Sequence, residues 1–203
     1  MGRIILENSK IYDNDDSYER IRKEQEYLEY IKEHIGFVKK AFVMYFAPLM
    51  DKSCISNMLS DTQIKQAIID LAKVIDTHDA SKFSDAEFDG YRMKYYPTKK
   101  EEVDPDFPAL LEKRYDECWK HHYQTNWHHP EYWYNFETKE AKDMELVAII
   151  EMICDWEAMS LKFGGTAMDW WKNKPDGKEE KEKIMSSNTI DILNELLYNV
   201  IHK

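Results

Sequence analysis

Glycine and proline are scarce, with six of each in 203 residues, about half their usual combined share. That shortage argues against a many-stranded sandwich, a propeller, a collagen-like chain or a flexible linker. Cysteines are few and odd in number (Cys54, Cys118 and Cys154), with no CxxC pair. They fit a reducing compartment better than a disulfide framework. Basic residues are in deficit, 28 Lys and Arg against 39 Asp and Glu for a net charge of −11, so general nucleic-acid binding is not expected. A local phosphate pocket remains compatible with that charge. Long apolar runs are missing too. The longest, Ala41 to Met50, is broken by Pro48 and is too short to span a bilayer. Residues 1–16 show no secretory signal, and the expected location is cytoplasmic. What is plentiful is aromatic and apolar: 13% and 43% of the chain respectively, enough for a sizeable core.

The pattern predicts an all-α fold in a single domain over 1–203, with an extended arm at 1–17, a core at 18–172 and a C-terminal helical segment at 173–203. Residues 18–46 and 61–78 read as amphipathic helices, the second with Asp61 at its N-cap. Ser84 followed by Glu87 is a capping-box signature for a third helix, ending before Pro97. Thr98 to Pro108 reads as a polar connection to a fourth helix at about 109–126. Pro130 opens a short aromatic segment. A long helix over 138–163 stops at Gly164 and Gly165, and a last helix covers about 187–202. The Glu/Lys run Lys178 to Lys183 reads as a solvated helical face, and residues 4–12 as a strand or extended arm.

Several potential metal ligands fall on apolar stripes. Tyr27, Ile31, His34, Val38, Ala41 and Tyr45 share one helical face, which turns His34 inward. Ile64, Ile68, Leu71, Ile75 and His78 do the same for His78, with Asp79 beside it. Leu111, Tyr115, Cys118, His122 and Asn126 form a third stripe, whereas His121 follows the polar row of Arg114 and Glu117. That phase favours His122 over His121. The segment Met144 to Met159 is apolar nearly all round, as in a helix buried at the centre of a domain. It nevertheless carries Glu151 and Asp155 one turn apart. Buried carboxylates without partners cost several kcal/mol, and a cation, a set of histidines, or arginines such as Arg92 or Arg114 would offset that cost. Imidazoles and carboxylates together suit Zn, Mn, Fe or Co. The aromatics Trp119, Tyr123, Trp127, Tyr132 and Trp133 read as packing rather than a base-stacking platform.

The order His34, His78-Asp79, the histidines of 121–129 and then Asp155 resembles the HD-domain superfamily of metal-dependent phosphohydrolases. More narrowly, HDASKFSDAEFDGYR, HHYQTNWHHPEYW and EMICDWEAMS are similar to an uncharacterised family of bacterial and phage proteins, over roughly residues 25 to 172. The resemblance implies a helical bundle around a central site holding one or two divalent ions (Mn, Co, Zn, Fe or Mg). His34, His78, Asp79 and Asp155 would hold the first. His122, with His128 or His129, would hold a second or contact phosphate, and Asp79 would bridge. One departure leaves the metal count open: His122 and His128 or His129 are only six or seven residues apart, whereas HD enzymes usually place such histidines on separate helices. The implied activity is hydrolysis of a nucleotide or another small phosphate ester. Asp79, Lys82 and Glu151 would be catalytic, with Glu151 as a base or a holder of a ligand imidazole, and Lys82, Arg92 and Asn126 would contact substrate. The rival expectations are an HD-type di-iron oxygenase and a non-catalytic protein that keeps the metal and sequesters a nucleotide. Substrate and oligomeric state are not legible in the sequence.

Overall fold

The computed structural model describes residues 9–50, 59–173 and 182–198, with side chains over 16–45, 59–172 and 182–198. Cys54, the arm at 1–8 and the Glu/Lys residues 178–181 lie outside the described residues. The fold is all-α. Among the described residues, eight α-helices follow one another: α1 Ser9–Met50, α2 Asp61–Val74, α3 Phe88–Tyr95, α4 Lys99–Val103, α5 Phe107–Thr125, α6 Leu146–Phe163, α7 Ala167–Asn173 and α8 Ser187–Leu196. The described strands are a two-residue pair, Tyr134–Asn135 against Glu140–Ala141. No described helix is long and apolar enough to cross a membrane.

The chain divides into two compact units, each made of two stretches. The first comprises Met1–Lys32 and Ser81–His122. Here the aromatic stripe of α1 meets α3, with the Tyr27 ring 5.1 Å from Phe88 and 5.9 Å from Tyr96. Helices α3 and α5 touch at Gly90, where a Cβ would lie 2.1 Å from Cys118 Sγ. Only glycine permits that approach. Arg92 is fully buried and bonds Glu101 through both terminal nitrogens, at 2.7 and 2.6 Å, and Asp89 at 3.1 Å.

The second unit comprises Glu33–Ala80 and Tyr123–Lys203 and contains the main apolar core. Helix α6 lies against α2, α7 and α8, and Ala148, Ile149, Cys154 and Ala158 on it are completely buried. This is the environment its all-round apolar sequence predicts. Glu157, also buried, accepts the Ala167 N–H at 2.9 Å and so satisfies the start of α7.

Several local expectations need correction. Helix α1 begins at Ser9, so the described part of the expected arm is helical. The ion pairs Arg20–Glu24 and Arg22–Glu26 support its polar first half. Helix α2 is capped by Ser60 rather than Asp61, in a reciprocal box with Gln63. It ends at Val74, and Ile75–Thr77 is a tighter 3₁₀ turn. The i, i+3 register of such a turn still carries His78 inward after Ile75. Ser84 does not cap α3: its hydroxyl donates to the Ser81 carbonyl, and Glu87 accepts from two histidines instead. The expected polar connection contains α4, with Thr98 and Glu101 as its capping box. Residues 138–145 are not helical. Asn135 Oδ1 accepts the Glu137 and Thr138 N–H groups, a local turn that competes with helix formation. Gly164 and Gly165 end α6 with positive φ, as expected.

Candidate metal centre

Within the second unit, four stretches of chain converge on one buried cluster. Helix α1 supplies His34, the turn after α2 supplies His78 and Asp79, the segment after α5 supplies His128, and α6 supplies Glu151 and the half-buried Asp155. His34 Nε2 lies 3.0 Å from Asp155 Oδ1 and 3.4 Å from Asp79 Oδ2. His78 Nε2 lies 3.6 Å from Asp79 Oδ2 and 3.7 Å from Asp155 Oδ1. On the other oxygen of Asp79, His128 Nε2 stands 3.6 Å from Oδ1. Asp79 reaches this position with a left-handed backbone, φ 57°, a conformation that aspartate visits more readily than most residues. One ligand atom each from Asp79, His128 and His129 also lie within 4.8 Å of one another.

These separations test the fit of a cation. With metal–ligand bonds of about 2.1 Å, neighbouring ligands stand roughly 3.0 Å apart in an octahedron and roughly 3.4 Å in a tetrahedron. The observed set spans 3.0 to 3.7 Å, compatible with such a shell after slight contraction. His78 adds a chemical argument. Its Nδ1 is 2.9 Å from Glu151 Oε1, and its buried Nε2 has no hydrogen-bond partner. A neutral imidazole has one N–H. If Nδ1 donates to Glu151, Nε2 presents a lone pair toward two carboxylates, which is repulsive unless a cation lies between them or the ring takes a second proton.

The electrostatics show the same demand for positive charge. Burial disfavours a charged His78, but Asp79, Asp155 and Glu151 outweigh it and push the imidazole up to about 10. His34 is raised as well, against its burial, by Asp155 and Asp79. Burial would lift the Glu151 carboxyl, yet His128 and His78 hold it at about 2. Asp155 is likewise held well below the usual carboxylate range, despite burial, by His34 and His78. Glu151 faces the back of the imidazoles: His78 Nδ1 at 2.9 Å, His128 Nδ1 at 3.5 Å, and the Trp127 indole N–H at 2.6 Å. A carboxylate behind the imidazole is the usual way to fix a metal-binding histidine.

The remaining predicted residues are placed differently. His129 is half-buried, its ring 4.3 Å from that of His128. Asn126 bonds locally, its side-chain amide donating to Thr125 Oγ1. In the first unit His122 is buried and His121 more exposed, as the helix phase predicted. Both nevertheless bond the same buried carboxylate, His121 Nδ1 to Glu87 Oε1 at 2.6 Å and His122 Nδ1 to Glu87 Oε2 at 2.8 Å. Burial would raise Glu87, but the bonds from His122 and His121 hold it below the usual carboxylate range. The Lys82 ammonium lies 5.6 Å over the Tyr91 ring. The Arg92 fork is occupied by Glu101 and Asp89, which argues against a phosphate contact. Neither Arg92 nor Arg114 pairs with Glu151 or Asp155 in the described ion pairs: imidazoles fill that role, and Arg114 bonds Glu117. Sequence reasoning missed Glu87 by assigning it to a cap, and missed Trp127 by treating it as packing. The available signal for Trp127 was a buried Glu151 that needed donors beyond histidine.

A family model described as "Family of unknown function (DUF5662)" matches residues 23–199. No curated protein and no solved structure matches the chain.

Proposed function

The chain belongs to that family of unknown function, DUF5662, and from its own residues we propose a metal-dependent phosphohydrolase acting on a nucleotide or another small phosphate ester. The observation that carries this reading is the convergence of His34 Nε2, His78 Nε2, Asp79 Oδ2 and Asp155 Oδ1 within one buried cluster. These four residues would hold a first divalent ion. Asp79 Oδ1, with His128 and His129, offers donors for a second, and Asp79 would then be shared. The reading takes up the HD-domain resemblance of the sequence, which implies a His-Asp pair at the centre of the site. When bound, the ion would act as a Lewis acid and lower the pKa of a coordinated water toward neutrality.

The protein groups have separable tasks. Glu151 accepts from Trp127 and faces His78 and His128, and its carboxyl is held at about 2. Both of its oxygens are engaged, Oε2 by the Trp127 indole and Oε1 by the imidazoles, which favours Glu151 as a positioning residue over a general base. Glu87 bonds His121 and His122 in the first unit. Lys82, in the turn Ala80–Phe83 just after the His-Asp pair, would supply an ammonium to the phosphoryl oxygens.

The test is metal analysis of the purified protein followed by a phosphate-release screen across nucleotides and simple esters. Wild type should carry near-stoichiometric metal, and Lys82→Met should keep metal and fold while losing on the order of a hundredfold in turnover. Bound iron with oxygen uptake and no phosphate release would move the protein to the oxygenase reading. Tightly held metal without turnover of any ester would move it to the binding reading.

A further inference from the structure

Behind the cluster runs a chain of hydrogen bonds that starts outside it. The Trp133 indole N–H donates to the Trp127 carbonyl at 2.6 Å, and the Trp127 indole N–H donates to Glu151 Oε2 at 2.6 Å. The other oxygen, Oε1, faces His78 Nδ1 and His128 Nδ1. Both tryptophans are half-buried and lie against the apolar core of the second unit. The Trp133 carbonyl in turn accepts the Lys142 N–H at 2.8 Å, beside the strand pair.

We infer that Trp127 is a positioning residue of the metal centre, fixing the Glu151 carboxylate so that one of its oxygens serves the two imidazoles together. An indole has a single N–H and no acceptor, so it restrains one carboxylate oxygen without competing for the protons on the histidines. A glutamate fixed at only one oxygen could turn about its terminal torsion, which is broad for sp² groups. With Trp127 on Oε2 that rotation is blocked, and Oε1 stays toward His78 and His128. Trp133 acts one step further out, by holding the Trp127 backbone.

This inference rests on the metal reading above, and the experiment separates the two. Co(II) is titrated into metal-free wild type, Trp127→Phe, Glu151→Gln and the double variant, with affinity from chelator competition and ligand geometry from the visible bands. Trp127→Phe keeps most of the bulk and removes the N–H. It should weaken Co(II) binding about tenfold, the lower end of what outer hydrogen-bond partners contribute, and shift the visible bands, with the melting temperature of the metal-free protein little changed. In the Glu151→Gln background the same substitution should cost little more, because it acts through that carboxylate. Wild-type affinity and spectrum in Trp127→Phe would overturn the positioning role alone. An undiminished tenfold loss in the Glu151→Gln background would overturn the route through Glu151. A wild type that takes up neither Co(II) nor Mn(II) would overturn the metal reading, and the inference with it. If Trp127→Phe folds poorly, Trp133→Phe carries the test: it should weaken Co(II) severalfold, and an unchanged affinity would break the chain at its outer end.

Discussion

One carboxylate of the first unit and the carboxylate cluster of the second keep opposite company, although Glu87 in the first unit also bonds imidazoles. In the first, Glu101 faces Arg92, whose guanidinium is charged at every accessible pH and whose planar fork matches a carboxylate, and Thr98 completes the arrangement through its backbone N–H. The pair is closed. In the second, Asp79, Glu151 and Asp155 face imidazoles, whose charge is conditional. The difference separates a structural ion pair, complete in itself, from a donor set that calls for a proton or a metal ion. It also explains why Arg92, although buried and cationic, is a poor candidate for substrate binding.

The largest expected effect tests the open set. Removing metal with a chelator should lower the melting temperature of wild type, since a ligand at a thousandfold over its Kd adds about 4 kcal/mol to the folded state. Asp79→Ala should abolish both the bound metal and that sensitivity to chelator. Asp79→Asn, which keeps a side chain tolerant of the left-handed backbone, should lose metal while leaving the metal-free melting temperature near wild type. Equal metal content in wild type and both variants would erase the contrast between the units.

Next comes the closed pair. Arg92→Leu leaves Glu101 without its cation, while Asp89 keeps Arg20 at 3.2 Å, and should cost about 3 kcal/mol in denaturant unfolding, with metal content unchanged. Loss of metal in this variant would show that the units are not chemically independent. The pH dependence sharpens the same point. Burial would raise Glu101, but the Arg92 and Thr98 bonds hold it below the usual carboxylate range. A depressed folded-state pKa stabilises above the unfolded value, and the stability is lost as pH falls through the folded one. Melting temperature should therefore fall on acidification from about pH 5, and Arg92→Leu should flatten that slope.

Smaller effects probe packing in each unit. Gly90→Ala places a methyl where Cys118 Sγ would be 2.1 Å away, and should cost about 2 kcal/mol, in the range for overpacking. Cys118→Ala should recover part of it. Ser60→Ala removes the α2 cap and should cost about 1 kcal/mol. A much larger loss of metal than of stability in that variant would mean that the start of α2 controls where His78 and Asp79 sit.

Legibility followed the range of the interactions. The inward phase of His34 and of His122, the all-round burial of α6 and the glycine stop at Gly164 depend on neighbours three or four residues away, so periodicity revealed them. His78 was placed inward correctly but on the wrong element, because a 3₁₀ turn and an α-helix both bring Ile75 and His78 to the same side. The cap at Ser84 failed for the converse reason. Its local signature was sound, but Glu87 found two imidazoles on α5 and left the helix start without a side-chain partner.

By itself, then, the sequence determined the all-α class, most helix phases and the set of buried groups that need compensation, since these follow from local sterics and the cost of burying charge. Only the tertiary structure decided who compensates whom. His78 meets Glu151 across 73 residues, Glu151 takes its third donor from an indole and not an arginine, and Arg92 closes on Glu101. Such pairings depend on how helices approach one another, and no periodicity within one helix encodes the partner on the next.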